Sequence, residues 1–567
     1  MRGMKMVLAG AALAAMVSAP AQGRSLSGAY LAATQAEIQK NHAEAARYFA
    51  RALGYDQNNP ALLLRAMQAL IAKGDVSAGS SIAGRLIGFQ PENQFALLVL
   101  ISDDMRKGQF TSALDRIETG ANGLTPLLAD LVRGWILLNT GEEDEAFEVF
   151  ASLNQNPTLK LFGRYHGGLA KAQLGDFRGA AELLEDDEDG PVNLNRGSTL
   201  ARVQVLSQLG RTDDAIGILE TVLATGFGDR QFEGMLDQLK AGETLPFDML
   251  NSPGDGVAEV LFDLASILGD DSQDVALIYA RLAAYIDSDF VEALLLSAEI
   301  LERQGQFELA TETYASVPRS SPQFVDAEIG RADALSASGR VDEAIGVLKS
   351  VTRTNPDLLR PHYLLGEALR REERYPEAIA VFDTAIDVAG EPMPQHWLLH
   401  YARAVSHERD GAWDLAESDF RAALDLNPDQ PLVLNYLGYS LVEKRLKLDE
   451  ALDMIERAVA QRPQDGYITD SLGWVYYQLG RFEDAISPME RAVELTPLDP
   501  IINDHLGDVY WAVGRQREAE FQWRRALSFE PEPKDETRIL RKLDVGLDVV
   551  LAEEAAGEQL EAQNAGD

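Results

Sequence analysis

Apolar residues recur along this chain at helical spacing, in pairs of runs, and the pairs themselves repeat. Near the C-terminus the period is plain. Leu437-Gly438, Leu472-Gly473 and Leu506-Gly507 stand at steps of 35 and 34 residues. Ala416, Ala451, Ala485 and Ala519 keep steps of 35, 34 and 34, and Pro428, Pro463, Pro497 and Pro531 do the same. Each period predicts two antiparallel helices, A and B. The glycine after leucine lets helix A approach helix B, since it has no Cβ. Gly480 and Gly514 predict left-handed caps that end helix A. Pro497 and Pro531 end helix B and set the turn to the next unit.

Looser matches continue upstream. Gly305, Ala310, Tyr314 and Pro322 fit one unit; Gly339, Ala344, Leu348 and Pro356 fit the next. Ala45, Phe49 and Ala52 mark a unit near the N-terminus. The spacing breaks over residues 225–256, which carry Gly226, Gly228, Gly242, Pro246 and Pro253. This segment reads as a linker with one short helix, Phe232 to Leu239, between an N-terminal array (22–224) and a C-terminal array (257–533). Ile539, Leu540, Leu543, Leu547, Val550 and Leu551 form a single apolar stripe and predict a capping helix over 534–552. Residues 553–567 are acidic, without bases, and read as a disordered tail. Residues 1–21 have the order of a secretory signal peptide: basic Arg2 and Lys5, an apolar run from Met6 to Ala19, and Ala19-Pro20-Ala21 as the cut site. Export to a periplasm is the expectation.

Composition narrows the function. Among 567 residues, 51 Lys and Arg face 90 Asp and Glu, a formal charge of −39. That balance argues against nucleic acid, which is bound through clustered bases. With no cysteine there are no disulfides, thiolate metal sites or cysteine nucleophiles, and no lipidation through Cys. No segment after the leader is long and apolar enough to span a bilayer. No phosphate-binding loop, dinucleotide fingerprint or zinc-protease motif is present. His396, His400 and His407 lie close in sequence but lack a carboxylate at a matching offset, and read as a surface group. Glu185 to Gly190 suggests a calcium loop, but Arg196 stands where the bidentate glutamate belongs. The expectation is no enzyme, no metal and no cofactor.

Leu472-Gly473-x-x-Tyr476, Gly480, Ala485 and Pro497, and the equivalent set from Leu506 to Pro531, closely resemble the tetratricopeptide repeat. The usual tryptophan of its fourth position is replaced by Leu434, Thr469 and Asn503. The resemblance implies an all-α, right-handed α-solenoid whose A helices line a concave groove. Positions 5, 9 and 12 of each A helix share one face. In the last three units they hold Asn435, Tyr439 and Val442; Asp470, Trp474 and Tyr477; and Asp504, Asp508 and Trp511. Aromatics and carboxylates there predict a groove for a protein or peptide partner with a basic segment. The stretches around Asn435, Asp470 and Asp504 are similar to exported repeat proteins of Gram-negative bacteria, among them a lipoprotein adaptor of a carboxy-terminal processing protease. That likeness implies a periplasmic adaptor, here without the lipidated cysteine. The alternative is a factor for outer-membrane or polysaccharide assembly.

Overall fold

The computed structural model describes residues 25–120, 123–185, 190–224 and 229–565. The expected leader, most of the acidic loop after Glu185, and Gly226 and Gly228 lie outside them. Among the described residues there are 31 α-helices and no strand. The all-α expectation is met. The chain divides into two compact units, one ending at Val347 and the other beginning at Leu348.

The first unit opens with helix pairs in A–B order. The A helices relevant here are α1 (Leu26–Ile38), α3 (Pro60–Lys73), α5 (Gln94–Arg106), α7 (Pro126–Thr140), α9 (Lys160–Gln173) and α11 (Arg196–Gln208). Each B helix packs on its own A helix and on the next A helix in the chain. Side-chain caps start several of them: Asn59 accepts from Ala61 and Leu62, and Asn93 from Ala96. The α5 sequence is apolar on more than one face, and every residue from Ala96 to Met105 is buried. A helix of that kind needs cover on both sides.

The second cover comes from further along the chain. Helices α14 (Asp255–Ile267) and α15 (Gln273–Ile286) fold back onto the A helices: α14 packs on α7 and α9, and α15 on α3 and α5. They cover the A helices of this part of the array. This corrects the boundary read from sequence. Residues 225–256 do not separate two bodies, because the helices after them form the core of the unit before them. The short helix expected there is present as α13 (Arg230–Lys240).

The seam between α14 and the array is polar and fully buried. The Tyr165 hydroxyl donates to Glu259 at 2.7 Å. Trp135 Nε1 donates to His166 Nδ1 at 3.1 Å, and His166 Nε2 faces Asp263 at 3.1 Å. Burial pushes the Glu259 carboxyl up to about 8, with Asp263 adding to the rise. Burial also raises Asp263 and lowers His166 to about 4. This seam therefore holds its protons as neutral groups.

The second unit keeps the regular repeat. Its A helices are α20 (Leu359–Arg371), α22 (Trp397–Arg409), α24 (Pro431–Glu443), α26 (Gly466–Gln478) and α28 (Pro500–Ala512). A Cβ on Gly473 would lie 2.5 Å from Met489, so glycine is required where α26 meets its B helix, α27 (Phe482–Leu495). The expected single capping helix is two. Gly546, at φ +85°, breaks the stripe between α30 (Pro533–Val545) and α31 (Leu547–Ala565). The tail expected from residue 553 is therefore helical up to Ala565. Its first turns are held by Arg541–Glu553 at 2.7 Å and Arg538–Glu554 at 2.8 Å.

Candidate functional site

The A helices α24, α26 and α28 enclose an open cavity of about 770 Å³ on the second unit. Local sequence fixes its frame. Asp465 and Asp499 cap α26 and α28 through the backbone N–H groups of Tyr467, Ile468, Ile501 and Ile502. Pro431 and Pro500 occupy first-turn positions, where no N–H is needed. Tyr436, Tyr439 and Tyr467 supply rings; Glu408, Glu443, Asp470 and Asp499 supply carboxylates. Arg409, Lys444 and Lys534 complete the lining.

The structure sorts the eight residues expected from sequence. Asn435, Tyr439 and Asp470 line this cavity. The Asn435 Oδ1 atom is buried and has no hydrogen-bond partner. Burial raises the Tyr439 phenol, reinforced by Glu443 and Asp470, so it stays a neutral donor. Asp470 pairs with His505 Nδ1 at 3.0 Å. Burial opposes charge on His505, but Asp470, Asp504 and Asp508 together outweigh it and the imidazole is raised.

The other five do not line the cavity. Trp474 is stacked between Tyr477, at 4.8 Å between ring centres, and His505, at 4.0 Å. Its Nε1 donates to Glu443 at 2.7 Å. Asp504 and Asp508 were expected to face a partner's basic segment. They instead hold the chain's own Lys542, whose Nζ lies 2.8 Å from Asp504 and 2.6 Å from Asp508. Lys542 comes from α30 and is 1% exposed. Trp511 Nε1 donates to Asp548 at 3.2 Å, and its ring packs on Trp523. Of the eight, the structure brings Asn435, Tyr439 and Asp470 to the cavity and engages the rest elsewhere.

Several lining residues were missed by the stripe of positions 5, 9 and 12. Tyr436 and Glu443 sit at positions 6 and 13 of their unit, and Tyr467 at position 2 of the next. Successive A helices are offset, so the cavity runs diagonally across units. The signal was present as three tyrosines within two units, but a single-helix stripe does not follow a diagonal. The histidine group resolves differently. His400 and His407 both face Asp419, at 3.4 and 3.9 Å, and Arg403 clamps the same carboxylate at 2.6 Å.

Comparison with known proteins gives the class. Residues 37–99, 329–394, 363–431 and 437–500 match models of the tetratricopeptide repeat. These segments are tetratricopeptide repeats. A TPR repeat-containing protein of Pseudomonas aeruginosa is 32% identical over 100 residues. The aligned stretch spans 18% of this chain and 17% of that relative's length. Among solved structures, the chain is similar to the APC/C hetero-tetramer Cut9–Hcn1 at 14% identity, covering 95% of this chain and 99% of that one with a TM-score of 0.37. Yeast Tom70 is 13% identical over 92% of this chain and 97% of its own, with a TM-score of 0.32. YrrB, described as a TPR protein with an unusual peptide-binding site, is 20% identical over 33% of this chain and 94% of its own, at 0.27. No helix among the described residues is long and apolar enough to cross a membrane.

Proposed function

We propose that this chain is an exported, non-catalytic adaptor that holds a basic segment of a partner protein in the cavity of its second unit. One observation carries the reading: tyrosine rings and carboxylates from successive A helices converge on one open cavity. The rings favour a lysine or arginine side chain through cation–π contact, since Arg409, Lys444 and Lys534 on the same lining offset much of the carboxylate charge. The leader at residues 1–21 and the likeness to envelope repeat proteins favour a periplasmic location. A carboxy-terminal processing protease or a cell-wall enzyme is the partner that likeness favours.

The structure also dictates which variant tests this. Trp474 is buried between Tyr477 and His505 and Trp511 packs on Trp523, both outside the cavity lining, so replacing them would disturb packing without testing the cavity. Tyr467 is 60% exposed, and Tyr439 lines the cavity beside it. Residues 22–567 and a Tyr439→Ala, Tyr467→Ala variant should be used as baits in the same envelope extract. The expected result is a protein captured by the parent and lost by the folded variant, with the loss reproduced using that purified protein. Identical captures from both baits would remove the cavity from recognition. Retention of polysaccharide without any protein would point to the assembly role instead.

A further inference from the structure

After α13 the chain runs from Glu243 to Asp248 without helix or strand, and its backbone groups need partners. They find them on α11. The Leu245 N–H donates to Ser207 Oγ at 2.8 Å, and Gln208 Nε2 donates to the Leu245 carbonyl at 2.6 Å. The Asp248 N–H donates to Gln204 Oε1 at 3.1 Å, and Gln204 Nε2 donates to the Asp248 carboxylate at 2.5 Å. Gln204, Ser207 and Gln208 are spaced i, i+3 and i+4, so they form one face of an A helix. Gln204 and Ser207 are fully covered by the arrangement. Leu245 enters an apolar cluster with Leu200, Val203, Phe232 and Leu239, while Phe247 and Met249 beyond it pack against the main core of the unit and Leu250 is buried in it.

This is the chemistry of peptide recognition. Side chains read the N–H and C=O of one residue, an apolar hole takes its side chain, and an amide reads a carboxylate further on. We propose that this face of α11 is a peptide-binding site and that residues 243–248 are its resident occupant, anchored to the core of the unit by the residues that follow. The site takes a segment with leucine followed three residues later by aspartate, and a partner segment of that pattern displaces the resident one. The resident needs little intrinsic affinity, because tethering gives it a high effective concentration. A partner's apparent affinity is lowered by the fraction of molecules whose site is occupied. The proposal is independent of the cavity on the second unit.

The test uses the mature chain and a labelled synthetic peptide with the sequence of residues 242–251. Leu245→Ala with Asp248→Ala weakens the resident segment and leaves α11 intact. The folded variant should bind the peptide roughly tenfold or more tightly than the parent. Adding Gln204→Ala should abolish the gain. No binding by the folded variant overturns the proposal, as does binding unchanged by Gln204→Ala. Hydrogen exchange on the parent keeps the test open if the variant does not fold. The Leu245 and Asp248 amides should exchange through local opening, faster than the helical amides of α11. Exchange as slow as those amides would make the segment ordinary core and overturn the proposal.

Discussion

Lys542 shows how much one side chain does in this fold. Its ammonium is the counter-charge for two buried carboxylates on α28, with Arg538 3.4 Å from Asp508 beside it. Burial and the neighbouring Asp508 push Asp504 upward, and Lys542 opposes that rise. Lys542→Met leaves both acids enclosed without their cation and should cost about 3–5 kcal/mol in denaturant unfolding. Adding Asp504→Asn and Asp508→Asn should recover most of the loss, which a mere packing defect would not. A second residue-scale expectation concerns Glu259. It titrates near 4.5 when unfolded and about 8 when folded, so the folded chain retains a proton the unfolded chain has released. Stability of the first unit should therefore fall as pH rises between these values. His166 acts in the opposite sense between about 4 and 6.5, and Asp263 in the same sense as Glu259. The fall should be clearest from pH 6.5 to 8 in thermal melts, and Glu259→Gln should flatten it. None of these partners was legible in the sequence. The period places Asp504 and Asp508 on a concave stripe, but Lys542 lies in a helix outside the repeat pattern.

At the scale of elements, the period located most of the second unit because each element there contacts its neighbours in sequence. It misled at α14 and α15. Residues Ala258 to Ala283 keep unit-like spacing, so they read as another repeat, yet they pack against helices much earlier in the chain, as Glu259 does on Tyr165, 94 positions before it. A hint existed in α5, whose apolar run leaves no face for solvent, but periodicity alone cannot say which element supplies the cover. The approach of α14 to the array is close enough to select for glycine: a Cβ on Gly256 would overlap the Trp135 ring. Gly256→Ala should destabilise the first unit by about 1–3 kcal/mol through overpacking. Differential scanning calorimetry would check this, with the second unit's transition unmoved. The break between α30 and α31 has the same character. The apolar stripe continues through Gly546, and only the backbone angle and the Trp511 ring against it reveal the corner.

For the whole molecule, the formal charge of −39 sets long-range behaviour. It repels acidic proteins and draws basic ones, an attraction carried by exposed groups and hence screened by salt. Association with a basic partner should slow by about tenfold or more between 20 and 500 mM salt, with dissociation changing less, in surface plasmon resonance. The returning helices have one more consequence, in time rather than space. An array whose units touch only their neighbours can fold from its first repeats onward. Here Lys40 pairs with Asp274, 234 positions later, and Asp103 with Tyr285, 182 later. The chain emerges N-terminus first, from the ribosome or from an export channel, so the Tyr285 partner of Asp103 follows only 182 residues later and the first repeats stay unfilled until then. Throughout that interval their apolar inner faces are open to water, to chaperones and to one another.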